Sequence, residues 1–288
     1  MPPLILAIHP NPDALLRDAA DAAHGYRLDG ILLALRQGGL RDDLHQLAGA
    51  TNHPGWFDPP ACVFDELPAR LGSTTRLPLS PDERLVLLDQ LIQTHGGPVF
   101  SRLKRRLEFV DPIDILIGEL VAEGVSPEQF LQAVEQTPTT EAWDRDRNQG
   151  LATIYQAWHE ALLNGSALPR RDGRDTLIDV ANFTNDNPDA LAQRLHGRTE
   201  LRIVGLADLR GGWRILLQAL RNCPVLTRIT IHTLDNHLVE FEGLEPDETI
   251  RPVPGAPAEP QHLTVLQAPD TDREVEEVAV RVRRLLDQ

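Results

Sequence analysis

The sequence predicts an α/β protein built on a parallel sheet, with an all-helical block inserted into it. Three observations carry that expectation. Apolar runs at residues 4–8 and 30–35 are each followed by a helical stretch, consecutive helical patterns replace this alternation between residues 80 and 164, and strand signals return after residue 200. A short apolar run without alternation suits a strand buried on both faces, and such strands belong to parallel sheets covered by helices. The expected division is an α/β core at residues 1–79 and 170–288, with a helical lobe at 80–169.

Each element follows from its local pattern. Leu4-Ile5-Leu6-Ala7-Ile8 reads as the first strand, expected to be central in the sheet, and Asn11-Pro12-Asp13 offers a cap for a helix over residues 14–23. Residues 30–35 form a second buried strand, and Arg36-Gln37-Gly38-Gly39 turns into a helix over 40–48. After the Pro- and Gly-rich stretch 52–60, residues 62–67 read as a short strand leading to a brief helix. Ser80-Pro81-Asp82-Glu83 is a capping box with proline at the first helical position, and Leu85, Leu87, Leu88, Leu91 and Ile92 supply the apolar stripe behind it. Helices are expected over 99–109, 112–122, 126–135 and 143–163, with another near 175–183. The pattern then returns to a strand at 201–205, a helix at 213–221 and a strand at 226–233. Residues 246–260 hold five prolines and read as an irregular connection, before a short strand at 262–267 and an amphipathic helix at 272–286.

Composition excludes several chemistries. Lys104 is the one lysine among 28 basic residues, and it lies in a helical pattern, so neither a standard P-loop nor a nuclease core with lysine beside paired acids can be built. Arginine cannot replace it as a general base. The formal net charge of −15 argues against broad contact with nucleic acid and restricts any DNA contact to a few positions. Cys62 and Cys223 have no CxxC spacing, so no zinc ribbon or disulfide framework is expected. With no signal-peptide pattern and no membrane-length apolar run, the expected location is the cytoplasm and no membrane partner is expected. Hydrolase-elbow, zincin and dinucleotide fingerprints are absent.

The remaining polar residues have competing readings. His232 and His237 suggest a metal pair, but without a third ligand of matching spacing they read as a solvated strand-to-loop transition, and no metal site is expected. Asp144, Asp146, Asp270 and Asp272 read as helix-start acids. Arg102, Lys104, Arg105 and Arg106 form the densest basic cluster, either a solvated helix face or a contact for DNA phosphate or a partner. Phe64, Trp143, Trp158 and Trp213 fall in apolar patterns and are expected in the core.

The order of elements resembles the amino-terminal region of AddB-type subunits, the B subunits of bacterial helicase–nucleases that process broken DNA ends, and through them UvrD-like superfamily 1 helicases. Residues 4–23 resemble the first strand, phosphate loop and helix, and residues 30–47 the next strand and its DNA-contacting turn. Residues 80–163 resemble the helical insertion, including the Glu-Gly-Val-Ser-Pro-Glu turn at 123–128, and residues 272–286 the helix that opens the second motor-like half. The resemblance implies a P-loop-NTPase-like core whose catalytic residues are gone. His9, Asn11 and Asp13 stand where a phosphate loop would be; Val204-Gly205-Leu206 replaces Val-Asp-Glu; and Leu234-Asp235-Asn236 replaces the turn with the γ-phosphate sensor. It implies no catalytic residues, no cofactor, and a nuclease beyond residue 288. It also implies a contact with single-stranded DNA at Arg36 and Gln37 and a partner helicase–nuclease subunit in double-strand-break repair and recombination; taken with the basic cluster, weak DNA contact is expected through Arg36, Gln37, Arg105 and Arg106. Two other classes stay open: a free-standing α/β enzyme with a pocket at the strand ends near His9 and Asp13, and a protein-interaction module using the helical block.

Overall fold

The computed structural model describes residues 1–12, 14–15, 18, 31–36, 61–101, 109–138, 141–164, 169–207, 209, 211–241 and 244–251. All of them fall within one compact unit, Met1–Pro252. The architecture is α/β. Six strands, β1 (Leu4–His9), β2 (Ile31–Leu35), β3 (Ala61–Val63), β6 (Glu200–Val204), β7 (Arg228–Leu234) and β8 (Glu248–Ile250), form one sheet in the order β3-β2-β6-β7-β1-β8. Every pairing in it is parallel. The two apolar runs behave as their composition requires: all six residues of β1 and all five of β2 are buried.

Helices α1 (Leu67–Leu71), α7 (Thr176–Asp186), α8 (Pro188–Arg194) and α9 (Gly211–Arg221) contribute to one core. Leu4, Leu6 and Ile8 of β1 and Ile229 and Ile231 of β7 point into it and meet Val180, Leu191, Leu216 and Leu220. The opposite face carries Ile31, Leu33, Leu35 and Val204, covered by Leu15. Alternation along each strand therefore sorts β1 into Leu4, Leu6 and Ile8 on the first face and Ile5, Ala7 and His9 on the second.

Among the described residues between 79 and 169 the regular elements are helices: α2 (Pro81–His95), α3 (Gly97–Ser101), α4 (Val110–Ala122), α5 (Pro127–Gln136) and α6 (Ala142–Asn164). They bury a core of their own, centred on Leu88, Ile117, Ile154, Tyr155 and Trp158. The α2 capping box forms as the sequence predicts, with Ser80 Oγ accepting from Glu83 N and the Glu83 carboxylate from Ser80 N, and Ser126 and Gln129 repeat it at α5. The two-residue strands β4 (Leu77–Pro78) and β5 (Arg170–Arg171) pair in parallel at the start and end of this block.

Several expectations need correction. β1 is paired on both sides but lies second from an edge, because β6 and β7 take the centre and β8 flanks it. β8 itself falls in the proline-rich stretch read as irregular. Three residues between prolines suffice for a short edge strand, where the outer N–H groups need no partner. Asp247 anchors it, donating its N–H to Leu4 O at 2.8 Å and accepting from Leu4 N at 2.7 Å. β4 and β5 had no sequence signal strong enough to predict them, and α8 was not among the expected helices although Asn187-Pro188-Asp189 repeats the helix-start pattern of Asn11-Pro12-Asp13. Trp143 is 56% exposed, with the Arg147 guanidinium 4.9 Å above its ring, whereas Trp158 and Trp213 are buried. Its position in the first turn of α6, before the apolar stripe begins, leaves it outside the helical core. The expected strand 262–267 and helices 40–48 and 272–286 lie outside the described residues, as do residues 102–108 of the expected helix 99–109.

Candidate functional site

The carboxyl ends of β1 and β7 bring three polar side chains together. Ala7 and His232 are Cα partners in the parallel ladder, so their side chains leave the same face, and His9, two residues beyond Ala7, shares it. His9 Nε2 stands 3.2 Å from His232 Nδ1. Asp18, in the helical turn after β1, completes the group, with Oδ2 3.2 Å from His232 Nδ1 and 3.6 Å from His9 Nε2. The two imidazoles stack with centroids 5.4 Å apart and planes 20° from parallel. Both histidine side chains are 1% exposed, whereas Asp18 is 34% exposed and opens the group to solvent. His9 Nδ1 and His232 Nε2 are buried with no hydrogen-bond partner among the described residues.

The electrostatics follow from that placement. Burial lowers the His9 pKa from its ordinary value, the neighbouring His232 pushes the same way, and Asp18 opposes both. The hydrogen bond from His232 holds the Asp18 carboxyl low against its burial, helped by attraction to His232, His9 and Arg202. Arg202 lies on β6 and is paired with Glu200 at 2.9 Å.

Topology places a switch point here. The connection leaving β1 passes Leu15 on the second face, while the one leaving β7 passes Phe241 on the first. Two adjacent strands whose connections depart to opposite faces define a switch point, the usual ligand-binding place in open parallel sheets.

No protein-family model matches the chain, and no curated protein sequence matches it.

The residues named from the sequence divide unevenly. His9 ends β1 buried inside the cluster. Asn11 is exposed and caps the following turn, its Oδ1 accepting from Ala14 N at 2.9 Å. Arg36 is exposed just past β2, and its N–H donates to Val204 O at 3.2 Å. Gly205 has a φ of +83°, a left-handed conformation that favours glycine in that turn, while a Cβ there would meet Arg36 Cβ at an ordinary 3.4 Å. Asp13, Gln37, Arg105 and Arg106 lie outside the described residues. His232 is buried in β7 and is not part of a solvated transition; the actual turn is the 3-10 segment Asp235–Phe241, which carries His237. Asp18 had no motif to mark it. The one available signal was a histidine ending the buried run LILAIH and another inside RITIHTL, 223 positions apart.

A second concavity of about 270 Å³ lies beside the helical core and is lined by Arg76, Tyr155, His159, Arg171, Asp172 and Asp175 among others. Its charges are mutually engaged. Asp179, fully buried, accepts from Thr74 N at 3.1 Å and from the Thr74 hydroxyl, and lies near Arg76 and Arg171. Burial pushes the Tyr155 pKa up, and the phenol donates to Val125 O at 2.6 Å. Ion pairs beside this concavity tie Arg76 and Arg171 to Asp175 and Asp179 of the α7 start.

Proposed function

We propose that the chain is a non-catalytic, helicase-like scaffold that guides DNA in the repair of double-strand breaks, as the amino-terminal domain of an AddB-type helicase–nuclease subunit. One observation carries this reading. The positions compared with the phosphate loop, the magnesium-binding acids and the γ-phosphate sensor follow residues 9, 204 and 234, and β1, β7 and β6, which lead to them, are consecutive neighbours in the sheet. Far-separated segments compared with one nucleotide site thus converge, which supports a P-loop-NTPase-like core with a helical insertion between β3 and β6.

At that convergence the chain offers His9, Gly205 and Leu234, with neither a glycine-rich cradle nor a carboxylate pair. Such a module contributes positioning and no hydrolysis, and the partner subunit supplies the motor. In this reading DNA contact falls to Arg36, exposed just past β2, and to the basic residues 102–106, which lie outside the described residues.

The test is single-strand binding measured across salt concentrations. Two or three phosphate contacts predict weak binding and a log–log slope of about −1.4 to −2.1. No detectable binding at low salt would refute the DNA-guiding role and leave the interaction module. The buried histidine pair at the switch point favours a second reading, a free-standing α/β enzyme with its pocket there, in which case DNA binding would be absent and a small ligand would protect the chain from unfolding.

A further inference from the structure

We propose that His9, Asp18 and His232 form a tetrahedral site for a divalent transition metal of the zinc type, with three protein ligands and a fourth position open toward solvent. The inference rests on the geometry of the three ligand atoms and is independent of the helicase-like reading.

His9 Nε2, His232 Nδ1 and Asp18 Oδ2 make a nearly equilateral triangle with edges of 3.2, 3.2 and 3.6 Å. Zinc binds imidazole nitrogen and carboxylate oxygen at about 2.0–2.1 Å, which sets tetrahedral ligand atoms about 3.3–3.4 Å apart and neighbouring octahedral ones about 2.8–3.0 Å apart. The observed edges bracket the tetrahedral value. Two imidazoles and one carboxylate also match zinc in ligand hardness.

Hydrogen bonding alone does not satisfy the same triangle. Each ring nitrogen holds either one proton or one lone pair. If His232 Nδ1 donates to Asp18, a bare His9 Nε2 faces a proton already committed and a nearby anionic oxygen. If His9 Nε2 also carries a proton, two N–H dipoles lie side by side, 3.2 Å apart. If His232 Nδ1 is bare and accepts from His9, its lone pair faces the carboxylate at 3.2 Å. A cation at the centre turns all three contacts favourable. Ligation uses the two inward nitrogens, His9 Nε2 and His232 Nδ1, and leaves His9 Nδ1 and His232 Nε2 as the outward ring positions. Asp18, 34% exposed, is the side from which an ion and the fourth ligand would enter.

The test uses the full chain, stripped of metal by a chelator and titrated with Zn²⁺ by calorimetry and with Co²⁺ by visible absorption. One Zn²⁺ per chain with a Kd of about 1 μM or tighter is expected, together with the intense visible bands of tetrahedral Co²⁺ and their loss when Zn²⁺ is added. Asp18→Asn and His232→Gln should each weaken binding by about tenfold or more, while the exposed His95→Gln leaves it unchanged. Should His232→Gln fail to fold by circular dichroism, Asp18→Asn decides, since it leaves both buried rings in place. Parent-like binding in Asp18→Asn, a weak octahedral Co²⁺ spectrum, or no stoichiometric site would overturn the proposal.

Discussion

Replacing Gly118 by alanine sets two effects of opposite sign against each other. Gly118 is buried in the interior of α4, where alanine is favoured over glycine by about 1 kcal/mol. A Cβ there would lie 2.5 Å from Arg174 Nη1 and 2.8 Å from its Cζ. That guanidinium is not free to move. Its Nε donates to Asp172 Oδ1 at 2.6 Å, Nη2 to Asp172 Oδ2 at 2.8 Å, and Nη1 to Asp114 O at 2.6 Å. Nη2 also stands 3.0 Å from Asp114 Oδ1, and Asp172 is 1% exposed. Displacing the fork loses part of a charge-assisted set worth about 1.5–3 kcal/mol per bond, and overpacking adds about 1–3 kcal/mol where no relaxation is possible. The steric term wins, and Gly118→Ala should destabilise the protein by about 1–2 kcal/mol. For a domain of this size the melting temperature falls by about 2–4 °C per kcal/mol. Arg174→Ala alone should cost about 3 kcal/mol or more, because it leaves Asp172 buried and uncompensated. In that background the three atoms nearest the added Cβ are gone, and the effect of Gly118→Ala should reverse to a gain of about 0.5–1 kcal/mol. Urea unfolding followed by circular dichroism reads all four proteins. A stabilising Gly118→Ala in the parent, or the same effect in both backgrounds, would refute the reasoning.

Two further outcomes follow. Burial lowers the His159 pKa, with Arg76 in the same sense and Asp172, Asp175 and Glu128 opposing. Below the unfolded value of about 6.5 the unfolded chain then binds more protons, so stability is lost as pH falls from there toward the folded pKa. His159→Phe, which retains a ring against Tyr155, should flatten that loss in unfolding curves between pH 7 and 5, and an unchanged slope would assign the pH dependence elsewhere. Replacing Arg105 and Arg106 together by alanine should weaken single-strand binding and flatten its salt slope by about 1.4 units, whereas unchanged binding would leave the cluster a solvated helix face.

Local patterns made most of the fold legible. Buried strands such as LILAIH and ILLAL, and the Ser80 and Ser126 caps, declare themselves within six residues, because burial and capping depend on near neighbours. β8 was hidden because its pairing energy comes from β1, some 240 positions away, and nothing in Glu248-Thr249-Ile250 itself demands a strand. Strand order was illegible for the same reason: placing β6 and β7 between β2 and β1 is a tertiary choice. The site was half legible. His9 stood out as the residue in the phosphate-loop position, but its partners Asp18 and His232 follow from ladder register and a helical turn, and neither writes a spacing motif into the sequence.

The absence of a nucleotide site is the central claim, and calorimetric titration of the full chain with ATP and Mg²⁺ tests it most directly. Buried His9 at the end of β1, buried His232 in β7 and the Gly205 turn after β6 predict no saturable heat. Binding tighter than about 100 μM, near −5.5 kcal/mol, would contradict the account, since a phosphate cradle would then exist in a loop it does not assign.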